Sequence, residues 1–377
     1  LGRNKGQLEK KMTEKKQIAE QRHQFDMNTG WAYYRNHLQR GQGKMLSYLW
    51  NRFQWNYWHR FNWVPSFPLN VHIESSSQCN IKCDHCFRQY MDMKEDENMP
   101  MDMYKKIVDQ CAENNLFTLK FSMRGEPTVN PLIGDMVLYA KEKGIKEVWV
   151  NTHGGNLTEE MMEKFVRAKL DILMISFDGL GEMYESIRTP IKYDKALEKL
   201  KMIMRVRKRM KAVRPHVKVQ SLWSAIKEDP DEYLKTMGDI VDKVAYNIDY
   251  DYTKVHFIPD PDFVCYRLWQ QIAITSKGDF LKCPSDFEKE EVLANINDKS
   301  IKDVWNTLQH EEREKHLSMR RLESEVCAKC HHGATVVEKD KEAPTYQNEV
   351  NDIPYEGGFA GVGMHRPEEH KKEHWKK

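Results

Sequence analysis

Residues 70–90 read NVHIESSSQCNIKCDHCFRQY. A short alternating apolar run leads through three serines into Cys79, Cys83 and Cys86, which have three and then two residues between them. Downstream, further apolar runs recur: FTLKFS (117–122), KEVWVN (146–151), DILMISFDG (171–179), VKVQSLW (217–223) and KVAYNID (243–249). Between them lie segments of helical periodicity: 101–113, 131–143, one opening after Thr158, a long basic one near 195–214, and one opening after Pro230. Strands alternating with helices specify a parallel sheet with crossover helices. About six such units predict an α/β chain whose sheet curls into a partial (β/α)6, TIM-like barrel over 71–255. Such barrels carry their chemistry at the C-terminal ends of the strands. The cysteine trio falls on the loop just after the first strand, at that end.

The whole chain bounds the reading. Its 377 residues hold 59 Lys+Arg against 57 Asp+Glu, a formal net charge of +2. That is enough chain for two or three domains and too little net charge for a global nucleic-acid-binding field. The basic stretch KALEKLKMIMRVRKRMKAVR (195–214) has apolar residues three and four apart, which suits the solvated face of an amphipathic helix. No apolar run reaches the ~18 residues of a membrane span, and the N-terminus lacks the pattern of a secretory signal. A soluble, cytoplasmic protein is therefore expected. In such a setting the eight cysteines are metal ligands or catalytic groups rather than disulfides.

A structural zinc ion asks for four ligands, commonly two close pairs, and the trio has no nearby fourth. A cuboidal iron-sulfur cluster held by three thiolates leaves one iron open to a small molecule. The CNIKCDHC spacing, on the loop after the first strand of a repeated βα pattern, resembles the radical S-adenosylmethionine superfamily. The resemblance implies a 4Fe-4S cluster on Cys79, Cys83 and Cys86 whose open iron chelates S-adenosylmethionine. It also implies reductive cleavage to a 5′-deoxyadenosyl radical that takes a hydrogen atom from substrate. Three further stretches match in order over roughly 71–250. SMRGEPTVNP resembles the Gly-Gly-Glu-Pro motif, with Arg124 at the first glycine; Gly125 and Glu126 remain, and Glu126 is implied to contact the methionine amino group. WVNTHGG resembles the third-strand Thr-Asn-Gly segment, with Asn151 and an added His153. ISFDG resembles the fourth-strand Ser-x-Asp-Gly, with Ser176 and Asp178 toward the ribose. His85, before the last cysteine of the trio, stands where the family places an aromatic near the adenine.

Beyond residue 256 the pattern changes. CYRLWQQIAITSKGDFLKCPSDF (265–287) suits a hairpin turning at Lys277-Gly278-Asp279, and Ser300 is placed to cap a helix over 301–317. Cys265 and Cys283, with 17 residues between them, together with Cys327 and Cys330, make four thiols, enough to close every iron of a second cluster. A four-cysteine zinc site, or one using His331 and His332, is the alternative. Given the first resemblance, the set is similar to the shortened "twitch" form of the SPASM domain, implying an auxiliary 4Fe-4S cluster within a small domain over 256–337. Residues 338–377 are expected to form a polar tail. Cys111, mid-helix in IVDQCAENN, is expected to pack as a small hydrophobe on the outside of the barrel.

The N-terminal 1–70 is expected to be a helical extension. Its aromatic stretch LSYLWNRFQWNYWHRFNWVPSF (46–67) could meet a membrane interface, but is expected instead to cover the open edge or bottom of the barrel. A single auxiliary cluster resembles the arrangement of 2-deoxy-scyllo-inosamine dehydrogenase-like enzymes. That implies radical dehydrogenation, or alternatively epimerisation, of a carbohydrate or aminocyclitol-like alcohol. It also implies an external one-electron donor such as flavodoxin or ferredoxin. A peptide maturase and a non-catalytic iron-sulfur or zinc module are the other readings. No proton acceptor and no catalytic side chain is identifiable from the sequence.

Overall fold

The computed structural model describes residues 24–28, 30–84, 86–89, 97–250 and 254–338. The six apolar runs form six parallel strands joined by helices. In chain order these are β2 (Asn70–Ile73), α3 (Met101–Glu113), β3 (Thr118–Phe121), α4 (Ile133–Glu142) and β4 (Glu147–Thr152). They continue with α5 (Glu159–Arg167), β5 (Ile172–Ser176), α6 (Gly181–Ile187), α7 (Tyr193–Arg209), β6 (His216–Leu222), α8 (Pro230–Gly238) and β7 (Lys243–Asn247). Ahead of them stand β1 (Gln24–Asp26), α1 (Gly30–Gly41) and α2 (Met45–Tyr57). After them come β8 (Val255–Pro259), β9 (Gln271–Ile274), β10 (Asp279–Leu281), β11 (Val292–Asn295), α9 (Ile301–Asn306), α10 (Leu308–Leu317), α11 (Glu325–Ala328) and β12 (Ala334–Glu338).

Strand alternation sorts the side chains. Val71, Leu119, Val148, Leu173, Val217 and Val244 are fully buried in one core beneath α3–α8. At apolar burial of about 25 cal/mol per Å², this layer is the main source of stability. The opposite parity faces the concave lumen: His72, Lys120 and Trp149 stand side by side in register, as do Met174 and Lys218. Local signals begin the crossover helices. Thr158 Oγ1 accepts from Met161 N at 3.1 Å, and Asp229 Oδ1 accepts from Glu232 N at 2.9 Å.

A six-stranded barrel is not closed, and both of its edges expose unpaired backbone groups. Each edge is paired by a strand from outside the six. β1 runs antiparallel to β7, with Gln24 opposite Asn247. β9 runs parallel to β2, from Asn70 opposite Gln271 to Ile73 opposite Ile274. The expected hairpin, β9 and β10, turns at Gly278 with φ +84°, and continues through β11 in the same ten-stranded sheet. β8 and β12 form a separate antiparallel pair.

Three expectations are corrected. The N-terminal extension is not wholly helical, since β1 lies in it. It covers the bottom of the barrel chiefly through charge: Arg40 donates to both oxygens of Glu147 at 3.0 and 2.9 Å, and Lys44 bridges Asp171 at 2.8 Å. Several of its aromatic side chains stay exposed, Trp50 at 55% and Trp63 at 52%, while Phe25, Tyr48 and Phe67 are buried. The helix over 301–317 is broken at Thr307. There Trp305 is drawn into the core to donate to Pro65 O at 2.7 Å, and α10 must turn separately to bury Arg313, which donates to Leu268 O and Trp305 O. Ser300 caps the first half as expected, accepting from Asp303 N at 3.1 Å. Residues 1–23, His85 and the tail beyond Glu338 lie outside the described residues. No helix among the described residues is long and apolar enough to cross a membrane.

Candidate iron-sulfur and cofactor site

At the C-terminal mouth, the segment from Ser75 to Arg88 lies against the loops after β3, β4 and β5. Ile81 is buried, and Cys79, Cys83 and Cys86 are half-buried free thiols. Arg88 pins the loop by donating to Ser77 O and Arg124 O at 2.5 and 3.2 Å. Gly125 is the point of closest approach. A Cβ there would stand 2.2 Å from Ser76 O and 2.6 Å from Gln78 O, so no side chain fits between the β3 loop and the residues leading into Cys79. Glu126 N then donates to Gln78 O at 2.7 Å.

Arg124 has a structural explanation. Its Nε and Nη2 donate to the two oxygens of Glu74 at 2.7 and 2.6 Å, both residues being buried. Glu74 also accepts from Ser276 N at 3.0 Å. The end of β2, the β3 loop and the turn after β9 are thus tied to one carboxylate. Such a fork is stronger and more directional than a neutral hydrogen bond.

Glu126 is 4% exposed. Its Oε1 accepts from Thr128 N at 3.0 Å and from the Thr128 and Thr152 hydroxyls at 2.5 Å, while Oε2 accepts from His153 N at 2.9 Å. Asp178 is 1% exposed; its Oδ1 accepts from Leu222 N at 2.9 Å, and Oδ2 pairs with Arg188. Arg188 in turn donates to Cys83 Sγ at 3.4 Å. Asn151 and Ser176 are half-buried on the lumen parity of β4 and β5, and Asn151 Oδ1 has no partner among the described residues. The expected residues therefore converge on one mouth, His85 excepted because it lies outside the described residues.

Burial pushes the Cys83 thiol up to about 11 despite the opposing charge of Arg188, and Cys86 and Cys79 add to the rise. Cys265, Cys283, Cys327 and Cys330 are likewise gathered. Burial raises Cys330 to about 12, and Cys283 and Cys327 push the same way; Cys265 is raised by burial and by Cys283 and Cys330. Thiols that burden one another in this way fit a cationic centre that would stabilise their thiolates. Among the described residues no three His, Cys, Asp or Glu side chains are drawn together as around a single metal ion. A cuboidal cluster takes each thiolate on a different iron, so its ligands stand farther apart than the four around one zinc. The two cysteine-bearing segments touch: Phe87 stacks on Phe287 with centroids 3.9 Å apart.

Sequence reading missed Glu74, Arg88, Arg188 and Arg267, which hold or face the thiol loops. Arg267 donates to Ser285 Oγ at 3.1 Å beside Cys283. For Glu74, Arg88 and Arg267 the available signal was nearness in sequence to a strand end or a cysteine; Arg188 stands near neither, and only the fold brings it to Cys83. The rings of His331 and His332 lie 4.2 Å apart, tilted by 37°.

Comparison with known proteins agrees with this geometry. The Radical SAM superfamily model matches residues 73–215, and the SPASM iron-sulfur cluster-binding domain matches 265–331. The chain is 29% identical over 152 residues to the tungsten-containing aldehyde ferredoxin oxidoreductase cofactor-modifying protein of Pyrococcus furiosus, covering 40% of this chain and 42% of that one. It is 31% identical over 111 residues to the Fe-coproporphyrin III synthase of Methanosarcina barkeri, covering 29% and 27%. The matches thus span less than half the length of these relatives. The crystal structure of BtrN in complex with AdoMet and 2-DOIA superposes with TM-score 0.50 at 19% identity, covering 69% of this chain and 92% of that chain. Streptococcus suis SuiB bound to S-adenosylmethionine gives 0.51 at 17%, covering 68% and 70%. At these identities the structural matches speak to the fold, a barrel of this type carrying a further cluster domain. The two domains imply 4Fe-4S clusters and S-adenosylmethionine as cofactors. Residues 73–215 thus carry a radical SAM domain, and a SPASM iron-sulfur cluster-binding domain follows it over 265–331.

Proposed function

We propose that this protein dehydrogenates a carbohydrate or aminocyclitol-like alcohol to a ketone. Cys79, Cys83 and Cys86 would hold the cluster that binds S-adenosylmethionine, and Cys265, Cys283, Cys327 and Cys330 the auxiliary cluster. When bound, these groups supply one-electron cleavage of the sulfonium, removal of a hydrogen atom from the carbinol carbon, and a sink for the second electron as the hydroxyl proton leaves. The chain's own residues do the positioning. Gly125 lets the β3 loop lie on the Ser76–Gln78 backbone, Glu126 fixes the Thr128, Thr152 and His153 segments around the methionine end, and Arg188 on Asp178 faces Cys83. Gly125, Glu126, Asn151, Ser176, Asp178 and His85 are the proposed cofactor contacts. A cytoplasmic setting and a flavodoxin or ferredoxin as electron donor belong to the same reading.

One observation carries dehydrogenation over epimerisation. An epimerase must return a hydrogen atom to the substrate radical, usually from a thiol. Seven thiols stand in the two sets, and the eighth, Cys111, is 0% exposed in the helix–sheet core under α3, on the far side of β3 from the lumen. The test uses substrate deuterated at the carbinol carbon. Label should appear in 5′-deoxyadenosine with an equal amount of carbonyl product. An alcohol product that has taken up solvent deuterium would replace this reading with epimerisation.

A further inference from the structure

The lumen below the thiol loops carries more positive than negative charge among the described residues. Lys120, on β3, points into it between His72 and Trp149. Among the described residues its recorded contact is the Trp149 ring, 5.5 Å away, with no carboxylate on it. Charges of its own sign act across the lumen: Arg267 acts on Lys120, and Lys120 acts on Lys218. One carboxylate, Asp26, serves both Lys243 at 2.6 Å and Lys218 at 3.7 Å. The wall also holds buried polar atoms with no partner among the described residues: His72 Nδ1, Trp149 Nε1 and Asn151 Oδ1. His72 is 7% exposed, and its Nε2 is already bonded to Gln271 Oε1 at 3.0 Å.

Taking a cation out of water without a counter-ion is unfavourable, and so is leaving buried donors and acceptors unpaired. A core built only for stability would place a carboxylate or an apolar side chain here. We propose that the barrel lumen is a binding pocket for an anionic substrate, in which Lys120 pairs with a carboxylate or phosphate group while Trp149 and His72 offer hydrogen bonds to its polar remainder. This deepens the carbohydrate reading above and rests on it: the substrate class becomes an acidic sugar, a uronate or a sugar phosphate. Burial, helped by Arg267, lowers the Lys120 amine to about 8. It is therefore still largely charged at neutral pH when the anion arrives, and pairing strengthens that charge.

The test uses the reconstituted protein with S-adenosylmethionine, and titrates glucuronate, glucose 6-phosphate, glucose and glucosamine by calorimetry. Glucuronate, glucose 6-phosphate or both should bind in preference to the neutral and cationic sugars, and the stronger of the two identifies carboxylate or phosphate as the group. Lys120→Met should weaken that binding roughly tenfold to a hundredfold, the usual worth of a charge-assisted pair. Lys120→Arg, which keeps the charge, should stay within a few-fold, and iron content should be unchanged in both. The proposal is overturned if neither anion binds at millimolar concentration, if glucose or glucosamine binds as well, or if Lys120→Met binds like the unaltered protein. The two readings fail separately. Deuterium passing from a neutral or amino sugar into 5′-deoxyadenosine, with KM unaffected by Lys120→Met, sinks the anion pocket and leaves the carbohydrate reading standing. Anions bound through Lys120 while no carbohydrate transfers label leave the pocket standing and sink the carbohydrate reading.

Discussion

Replacing Gly125 by alanine should dismantle the open-iron site while sparing the auxiliary one. The new Cβ would meet backbone on one side: Ser76 O at 2.2 Å, Gln78 O at 2.6 Å and Ser77 C at 2.6 Å. An ordinary C···O contact is about 3.3 Å, so one strand of backbone must move by roughly 1 Å. No flexible side chain can yield instead. Overpacking of this kind costs about 1–3 kcal/mol, occasionally more. Because the displaced segment is the lead-in to Cys79, and Glu126 N is bonded to Gln78 O at 2.7 Å, the shift reaches both the thiol loop and the carboxylate loop. Reconstitution should give about four irons instead of about eight, with 5′-deoxyadenosine formation lost. Gly238→Ala is the control, since its Cβ would meet only Leu234 at 4.0 Å; it should leave iron and turnover unchanged. Full iron loading and unaltered S-adenosylmethionine cleavage in Gly125→Ala would refute the claim that this contact sets the thiol loop.

Replacing Cys79, Cys83 and Cys86 together by alanine should leave about four irons and no 5′-deoxyadenosine; cleavage in that variant would overturn the assignment. Glu74→Gln leaves Arg124 buried without its anion, so stability in denaturant titration should fall by about 3–5 kcal/mol, and a loss below about 1 kcal/mol would contradict the bridge. Cys111→Ala should cost modest stability and leave the isotopic outcome of turnover unchanged; loss of solvent deuterium uptake on that change would restore the epimerase reading. Glu147 supplies a pH dependence. Burial works to raise its carboxyl, but Arg40 outweighs this and holds it at about 2 against 4.5 in the unfolded chain. Its contribution is therefore complete above about pH 4.5 and is lost as pH falls toward 2. Unfolding curves of Glu147→Gln should lack that segment of acid sensitivity, and an unchanged acid limb would exclude the pairing.

The sequence by itself determined the alternation of strands and helices, the cysteine trio at the end of the first strand, the later set of four thiols and the hairpin turn at Gly278. Each rests on local chemistry: hydrophobic period, cap residues, ligand spacing, a turn that needs positive φ. The same is true of Gly125 and Glu126, legible as a motif although not as a backbone contact. Only the tertiary structure decided which strands seal the barrel. The pairing of β9 with β2 joins residues about two hundred apart, and β1 with β7 likewise, because an unclosed sheet leaves hydrogen-bonding groups that distant segments satisfy, and nothing local marks which segment will. It also decided what the polar side of each strand faces. In FTLKFS the alternation marks Lys120 as off the apolar face, but period two cannot distinguish water from a lumen. Curling the sheet turns that face inward, and so makes a lysine that reads as solvated into a half-buried cation next to a tryptophan.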